Sequence, residues 1–575
     1  MRFIFIILSI SFFLNPTLLK AQSAPITIDG MYDDWSSDLA TFTDPVESVS
    51  GIDLLEMQVT NDENFLFIRI ITDTEINLTS DLISQRLMLY IDADNDPNTG
   101  FQIQDGYGSE LGIDFRDRTV HYNVSPYSQV GFSDIQMRPA PTITSNEFEI
   151  AIGRDVVPNG INPLFPSNTI RILFKELNAG DNMPNTGEVF YYTFDDTPVM
   201  PLTLTDLDKE QPNYIRIVAY NTLVNGLKDP YRVDNFENII KVLNPDIIGF
   251  SECGNTNTVY VKSLLDNWIP LGTSGGWYIN ADDTGDLITA SRWQMQTWQS
   301  LYRQLPTLIN LPASYQTDLL FTNAHLRCCG ANYERQQQVD SYVAFMLDAH
   351  TSGGEISLPA DTPFVYAGDL NLVGYAQQLE TLITGDIQNT AAFGQGAPYD
   401  WDNTDVTDQI CRQSDKRMAY TWRHDSSSYA PGRLDFMIYS DAVMVAEKSF
   451  TLQTEIMSTA RLQSYGLNQY DTRDASDHFP VVTDFSINAA ISTSEIEYAS
   501  TKVYPNPTKG KITIQFDETE TSKIQIYDSF GVLVFSEDYF SDRIDISLDF
   551  LSSGIYFMSI TGVLGNKEWY KVIKK

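Results

Sequence analysis

The chain has 575 residues, 42% hydrophobic and 20% charged, and its 76 acidic against 37 basic side chains give a formal net charge of −39. Such a composition excludes a disordered chain, which lacks apolar residues for a core. It also excludes a polyanion binder working by its own positive field, since this field repels phosphate unless cations intervene. At ~150 residues per domain the length predicts three or four domains. First in the chain, Arg2 precedes the apolar run "FIFIILSISFFL", and "LLKAQS" then places the small Ala21 at a cleavage position. Residues 1–21 therefore read as a secretory signal peptide, too short to span a bilayer comfortably. No later run approaches the ~18 apolar residues of a transmembrane helix. The expectation is a protein secreted or exposed at the cell surface, without a transmembrane segment.

Residues 24–205 read as an all-β sandwich. "LEMQVTNDENFLFIRIIT" is a hairpin around Asn61-Asp62-Glu63-Asn64, and short strands follow in "RLMLYID", "EFEIAIG", "IRILFKE" and "VFYYTF". In "DADNDPNTG" the oxygens of Asp92, Asp94, Asp96 and Asn98 alternate before Gly100. That spacing suits a Ca²⁺ ion as well as it suits a plain Asn/Asp turn, and the loop lacks the distal glutamate of a full EF-hand. "ITIDGMYDDW" and "LYIDADNDPNTGF" resemble carbohydrate-binding modules of the family 9 type and related heme- or sugar-binding sandwiches. The resemblance implies a glycan as partner of this domain.

Residues 213–487 change character to alternating strands and helices. "YIRIVAYNTL" and "DIIGFSEC" are strands around the helix "DNFENIIKVLNPD". Its apolar face is Phe236, Ile239, Ile240 and Leu243; Asp234 is the expected N-cap, with Glu237 three residues on, and Asn244-Pro245 the stop. The pattern recurs as "DLLFTNAHL", then "ERQQQVDSYVAFMLDAH" with Val339, Tyr342, Val343 and Met346 on one face, then "PFVYAGDLN". After the polar linker 488–502, residues 503–575 carry short strands in "VYPNPTKGKITIQF", "SKIQIYDSFGVLVFS" and "SSGIYFMSITG". These phrases, with Tyr504, Pro505, Asn506, Pro507 and Gly510 in the first, resemble the C-terminal sorting domain of the type IX secretion system of Bacteroidetes. That implies a small β-sandwich, the type IX machinery as partner, and passage across the outer membrane.

Polar residues capable of metal or phosphate chemistry recur where apolar strands of the central domain end: Asn221, Glu252, His325, Asp369 with Asn371, and Asp477-His478 before "FPVV". Strand ends on one sheet edge converge on a crevice. Asp435 interrupts the apolar "GRLDFMIYSD", where an unpaired carboxylate costs several kcal/mol (roughly) to bury. Singly, each has an ordinary reading as a turn, a surface acid or a satisfied polar residue. Together, "AYN…SE…NAHL…GDLN…RLDF…SDH" resembles the endonuclease/exonuclease/phosphatase (DNase I-like) superfamily, a four-layer α/β sandwich. The expected fold is thus multidomain: an all-β sandwich, a DNase I-like four-layer α/β sandwich, and a small all-β sandwich.

The resemblance implies a hydrolase of phosphodiesters with Mg²⁺ as cofactor and Mn²⁺ as an alternative. Glu252 would be the principal metal ligand, with Asn221 beside it and Asp477 binding the metal or its water. Asp369 would deprotonate the attacking water and Asn371 hold a phosphoryl oxygen. His478, oriented by Asp435, would contact the phosphate, and His325 would be a second phosphate contact or the acid for the leaving group. The family's glutamine before the metal glutamate is here Ser251. Four cysteines in an exported protein suggest disulfides. Adjacent Cys328 and Cys329 are expected to bond elsewhere than to each other, and Cys253 with Cys328 or Cys329 would brace the rim of the site. The substrate class stays open between nucleic acid and phospholipid. No Lys/Arg run forms a phosphate-tracking stripe, and an extracellular nuclease or general phosphodiesterase leads a sphingomyelinase-like lipid phosphodiesterase. A catalytically inactive glycan-binding or adhesion protein is the reading from a different class.

Overall fold

The first hairpin forms as its alternating apolar residues require, with Leu54–Asn61 pairing antiparallel to Phe65–Ile76 in the register Val59↔Ile68. The computed structural model describes residues 23–487 and 502–575, apart from 48, 50, 80–85, 179, 273–274, 299–300, 355, 529–532 and 562–566. The signal segment 1–21 and nearly all of the linker 488–502 lie outside the described residues. Two compact units divide the chain, one ending at Ala489 and one beginning at Ala490. In the first, Ser145–Gly153 and Arg138–Ala140 extend the hairpin sheet, and a second sheet runs through Thr169–Glu176, Leu87–Asp92, Leu111–Asp114 and Thr119–Tyr122. Leu54, Ile68 and Ile150 of one sheet and Leu89, Ile113 and Ile172 of the other bury their side chains in one core. That is a β-sandwich, with each strand turning alternate residues inward.

Residues 215–487 hold two further sheets, six-stranded among the described residues. In the first lie β1 (Ile215–Asn221), β2 (Ile247–Ser251) and β6 (Val481–Ile487); in the second lie β3 (Leu319–His325), β4 (Phe364–Asp369) and β5 (Asp435–Tyr439). Ile217, Ala219 and Val481 from one pack with Phe321, Val365 and Met437 from the other. Helices α1 (Val233–Leu243) and α2 (Thr258–Trp268) share a core with the first sheet, and α3 (Asn332–Ala349) and α4 (Gln377–Thr384) with the second. On α1, Phe236, Ile239, Ile240 and Leu243 are all fully buried, and each contributes about 1.5–3 kcal/mol. Asp234 is not its N-cap. Arg232 takes that position without a side-chain cap, and Asp234 sits in the first turn, where its charge faces the positive helix end. Asn244, at φ 45°, ends the helix in the left-handed conformation that a short polar side chain tolerates.

The disulfides expected of the four cysteines are not formed. Cys253 points into the core shared by the first sheet and its helices, away from the rim, with Thr222 Oγ1 at 3.8 Å. Cys411 is buried near Thr483 Oγ1 at 3.6 Å. Cys328 and Cys329, exposed, lie beside each other rather than bonding elsewhere, Cys329 donating to Cys328 Sγ at 2.6 Å.

The sandwich is built into the first unit by backbone pairing. Ile28 N–H donates to Arg417 O at 3.0 Å and Ala419 N–H to Ile28 O at 2.9 Å. Trp35, Phe67 and Ile28 share a buried cluster with Met418, Tyr420 and Phe479. The second unit, expected as a small β-sandwich, has its strands paired in one antiparallel sheet among the described residues, with its own core of Ile512, Ile524, Ile546, Met558 and Val572. Its opening motif works as a clasp: Thr508 N–H donates to Ile573 O at 2.8 Å, and Asn506 Oδ1 accepts from Ile573 N–H at 2.9 Å. Among the described residues no helix is long and apolar enough to cross a membrane.

Candidate active site

Sheet register assembles the centre of the site. β3 and β4 run parallel with His325 opposite Asp369, and β5 runs antiparallel to β4 with Asp435 opposite the same Asp369. Residues opposite one another present side chains on the same face, so three strands deliver His325, Asp369 and Asp435 as one row. Asp369 is 2% exposed, and its Oδ2 lies 3.7 Å from Nε2 of both His325 and His478. Gly368 takes φ 142°, and a Cβ there would stand 1.9 Å from Ala324 O. Only glycine lets β3 and β4 close in this way beside the carboxylate.

His478 is held from behind. Its Nδ1 and Asp435 Oδ2 are 2.8 Å apart, Thr421 Oγ1 donates to the same oxygen at 2.7 Å, and Asp435 N–H returns a bond to Thr421 Oγ1 at 2.9 Å. Acceptance by Asp435 fixes the proton on Nδ1 and turns Nε2 toward Asp369. Burial disfavours a charged ring, but the Asp435 and Asp369 carboxylates outweigh it and push His478 up to about 10. Asp369 itself is raised by burial and by Asp435, against the pull of His478, His325 and Asn221. His325 has a support that sequence reasoning missed: its Nδ1 lies 2.7 Å from Asp286 Oδ2 and 2.6 Å from Arg303 Nη2, and Arg303 pairs with that carboxylate at 3.2 Å. Burial would raise Asp286, but its hydrogen bond to His325 and the charges of His325 and Arg303 hold it below the ordinary carboxylate value. Asp286 precedes a short strand instead of ending one, so the strand-end signal passed over it.

Asn221, at the end of β1, donates through Nδ2 to Glu252 Oε1 at 3.1 Å and to Asp369 Oδ2 at 2.9 Å. Glu252, just beyond β2, accepts Val224 N–H at 2.8 Å and adopts φ 60°. Asn371 sits at φ 50° with Nδ2 donating to Leu326 O at 3.2 Å. Non-glycine residues in this region cost about 1–3 kcal/mol each and gather at functional sites. Asp477 accepts Trp422 Nε1–H at 3.0 Å through Oδ2, while its Oδ1 is buried without a hydrogen-bond partner. Glu252, His325, Asp369, Asn371, Asp477 and His478 line one cleft of about 540 Å³. Asn221 and Asp435 stand behind it, each bonded to residues that line it.

The donor set fits a hard dication. Glu252, His325 and Asp369 bring ligand atoms within 4.8 Å of one another, as do Asp369, Asp435 and His478. Carboxylate oxygens suit Mg²⁺, and the orphaned Asp477 Oδ1 is an acceptor awaiting a partner; Asn221 turns Nδ2 toward Glu252 and Asp369, and its Oδ1 accepts Leu223 N–H at 2.9 Å. A second cluster lies in the sandwich, with altered membership. Asp92 and Asp94 meet Glu110, all within 4.8 Å. Asp96 and Asn98 turn away and bond each other, Asn98 Nδ2 donating to Asp96 Oδ1 at 2.8 Å. The glutamate missing from the local loop thus arrives from the neighbouring strand connection. "GSELGID" carried no spacing signal for it because the contact is made across the sheet.

Among known proteins, residues 502–575 match the secretion system C-terminal sorting domain family. The ulvan lyase NLR42 of Nonlabens ulvanivorans is 32% identical over 97 residues, 16% of this chain. The chain spans 18% of the length of that curated relative. Structural similarity was found to an endonuclease/exonuclease/phosphatase from Beutenbergia cavernae (12% identity, 63% of this chain, 100% of that chain, TM-score 0.30). It was also found to the human Nocturnin catalytic domain (16%, 48% and 95%, TM-score 0.30) and to sphingomyelinase C from Streptomyces griseocarneus (14%, 47% and 99%, TM-score 0.28).

Proposed function

We propose that the chain is an exported, Mg²⁺-dependent phosphodiester hydrolase on a DNase I-like four-layer α/β sandwich, acting as an extracellular nuclease or general phosphodiesterase. One observation carries the reading: two imidazoles and two carboxylates, each imidazole backed by a further acid, converge with Glu252 on a single cleft. Glu252, Asn221 and Asp477 would hold the cation, which when bound neutralises charge on the phosphoryl and departing oxygens. Asp369, raised by burial, is the base that takes the proton of the attacking water. Asn371, anchored on Leu326 O, steadies a phosphoryl oxygen. His478, kept charged by Asp435, meets the charge that builds on phosphorus in the transition state. His325, kept oriented by Asp286, contacts the phosphate or protonates the leaving oxygen.

The test is hydrolysis of plasmid DNA, a bis-aryl phosphate and sphingomyelin with Mg²⁺, with and without chelator, by native protein and His478→Ala. Cleavage that ignores both chelator and substitution rejects the mechanism, and the preferred ester decides between the nuclease or general reading and the lipid one. No hydrolysis of any ester by native protein favours the inactive, glycan-binding reading. The sorting-domain match at 502–575 supports export through the type IX machinery and a place outside the cell or on its surface.

A Ca²⁺ site at Asp92, Asp94 and Glu110 is a second part of the proposal. Asp92 Oδ1 and Glu110 Oε1 are buried without hydrogen-bond partners, in residues 0% and 3% exposed. Burial, with the Asp94 and Asp92 charges adding to it against the Ala93 N–H, pushes Glu110 up to about 7. Orphaned buried carboxylate oxygens are costly unless a cation meets them.

A further inference from the structure

One wall of the cleft comes from the β-sandwich. Leu78, Pro139, Pro141 and Thr142 line the same cavity as Glu252, Asp369 and His478. The wall is bonded to the segments that carry the reactive groups. Thr142 Oγ1 lies 2.9 Å from Leu372 O, one residue past Asn371, and 3.2 Å from Arg433 O, two residues before Asp435. Asn77 Nδ2 donates to Val373 O at 3.0 Å, Thr144 N–H to Gly374 O at 2.8 Å, and Ala376 N–H to Thr144 Oγ1 at 2.9 Å. At the outer edge, Arg118 of the sandwich donates to Thr79 O at 2.8 Å and covers the Tyr429 ring at 4.4 Å. A domain tethered for independent binding makes few contacts of this kind with its neighbour. This one is a fixed part of the cavity.

The two sides differ in chemistry. Acids, amides, imidazoles and the guanidinium groups of Arg303 and Arg327 form the phosphate side, whereas Leu78, Pro139 and Pro141, continued by Ala430 and Pro431, form an apolar side. The organic group next to a phosphate seated on the polar side falls against that apolar wall. A compact ester meets both sides at once, its phosphate on the polar residues and its organic group on the wall.

We infer that the substrate is a phosphate ester whose organic group is compact and presents an apolar or aromatic face, and that the sandwich wall, with Tyr429, selects it. The inference rests on the hydrolase reading for the phosphate side and adds the other half of the recognition. It is tested on the full chain in Mg²⁺ by calorimetric binding of phenylphosphonate and methylphosphonate, ligands that differ only in the organic group. Phenylphosphonate is expected to bind about tenfold more tightly, the worth of the extra apolar area. Leu78→Ala and Tyr429→Ala should each reduce that preference to within about twofold while leaving methylphosphonate affinity unchanged. Tyr429 is 50% exposed, so its substitution keeps the fold and decides the matter should Leu78→Ala misfold. Equal affinities in the native protein, or a preference that survives both substitutions, overturns the inference. Diester turnover without a phenyl preference removes the wall and leaves the hydrolase; a phenyl preference without turnover of any ester does the reverse. Binding of neither phosphonate also removes the wall, and the hydrolase reading is then judged by diester turnover alone.

Discussion

Asp369 stands between two imidazoles at equal distance, each turned toward it by an acid on its far nitrogen. The arrangement makes the two histidines separable by experiment. His478→Ala should lower kcat for a diester by about 10²–10⁴ with KM little changed, because its partner is charge that develops in the transition state. Asp435→Asn should lower kcat less and shift the pH profile, since the ring keeps its place but loses the carboxylate that raises it. Steady-state rates over a pH series read both. Away from the site, burial depresses His350 to about 4, and it stacks on Trp401 with ring centroids 3.9 Å apart. A folded value below the unfolded one, about 6.5, means the neutral ring stabilises the fold above that pH, and the benefit is lost as pH falls toward 4. His350→Phe should therefore make stability fall less steeply between pH 6.5 and 4, by up to one proton in the slope, as urea midpoints would register. In the sequence, Asp369, Asn371 and His478 were legible because each stands beside an apolar strand. Thr421, Asp286 and Arg303 were not: they meet Asp435 and His325 across 14, 39 and 22 residues of chain, and no local spacing encodes those contacts.

At the level of strands and helices, the site depends on close approach and on buried pairing. Gly368→Ala should push β4 from β3 and reduce both activity and stability, measured as kcat/KM beside the thermal midpoint. Arg216 and Asp484 form a buried bidentate pair at 2.6 and 2.7 Å linking β1 to β6. Removing one partner strands the other, so Arg216→Ala should cost about 3–5 kcal/mol in denaturant unfolding. In the sandwich, Ca²⁺ should raise the thermal midpoint, with about 2.7 kcal/mol gained at a hundredfold excess over Kd. Glu110→Gln should abolish that gain while diester turnover in Mg²⁺ persists; an unchanged Ca²⁺ response would reject the site. Helix α1 was readable from its apolar spacing, which burial enforces. Its cap was not, because Arg232 is drawn instead to the carbonyls of Leu223 and Ala475, at 2.7 and 2.8 Å.

For the molecule as a whole, the two units carry separate cores, so truncation after Ile487 should leave diester hydrolysis intact while abolishing export from the native host. Deleting residues 23–205 should instead expose Met418, Tyr420 and Phe479 and lose soluble protein, because these side chains complete a core with the sandwich. The order of domains was visible in changes of residue pattern along the chain. The sharing of one cleft by two of them was not, since Thr142 and Leu372 are brought together only by the docking of sheets. The central claim is that Glu252 and its neighbours seat a dication against a phosphate ester. Its most direct test is the initial rate of bis(4-nitrophenyl) phosphate hydrolysis as Mg²⁺ is returned to protein dialysed against chelator. Saturable recovery in the native chain and none in folded Glu252→Gln is the predicted result; full activity in chelator, or native-like recovery in Glu252→Gln, would contradict it.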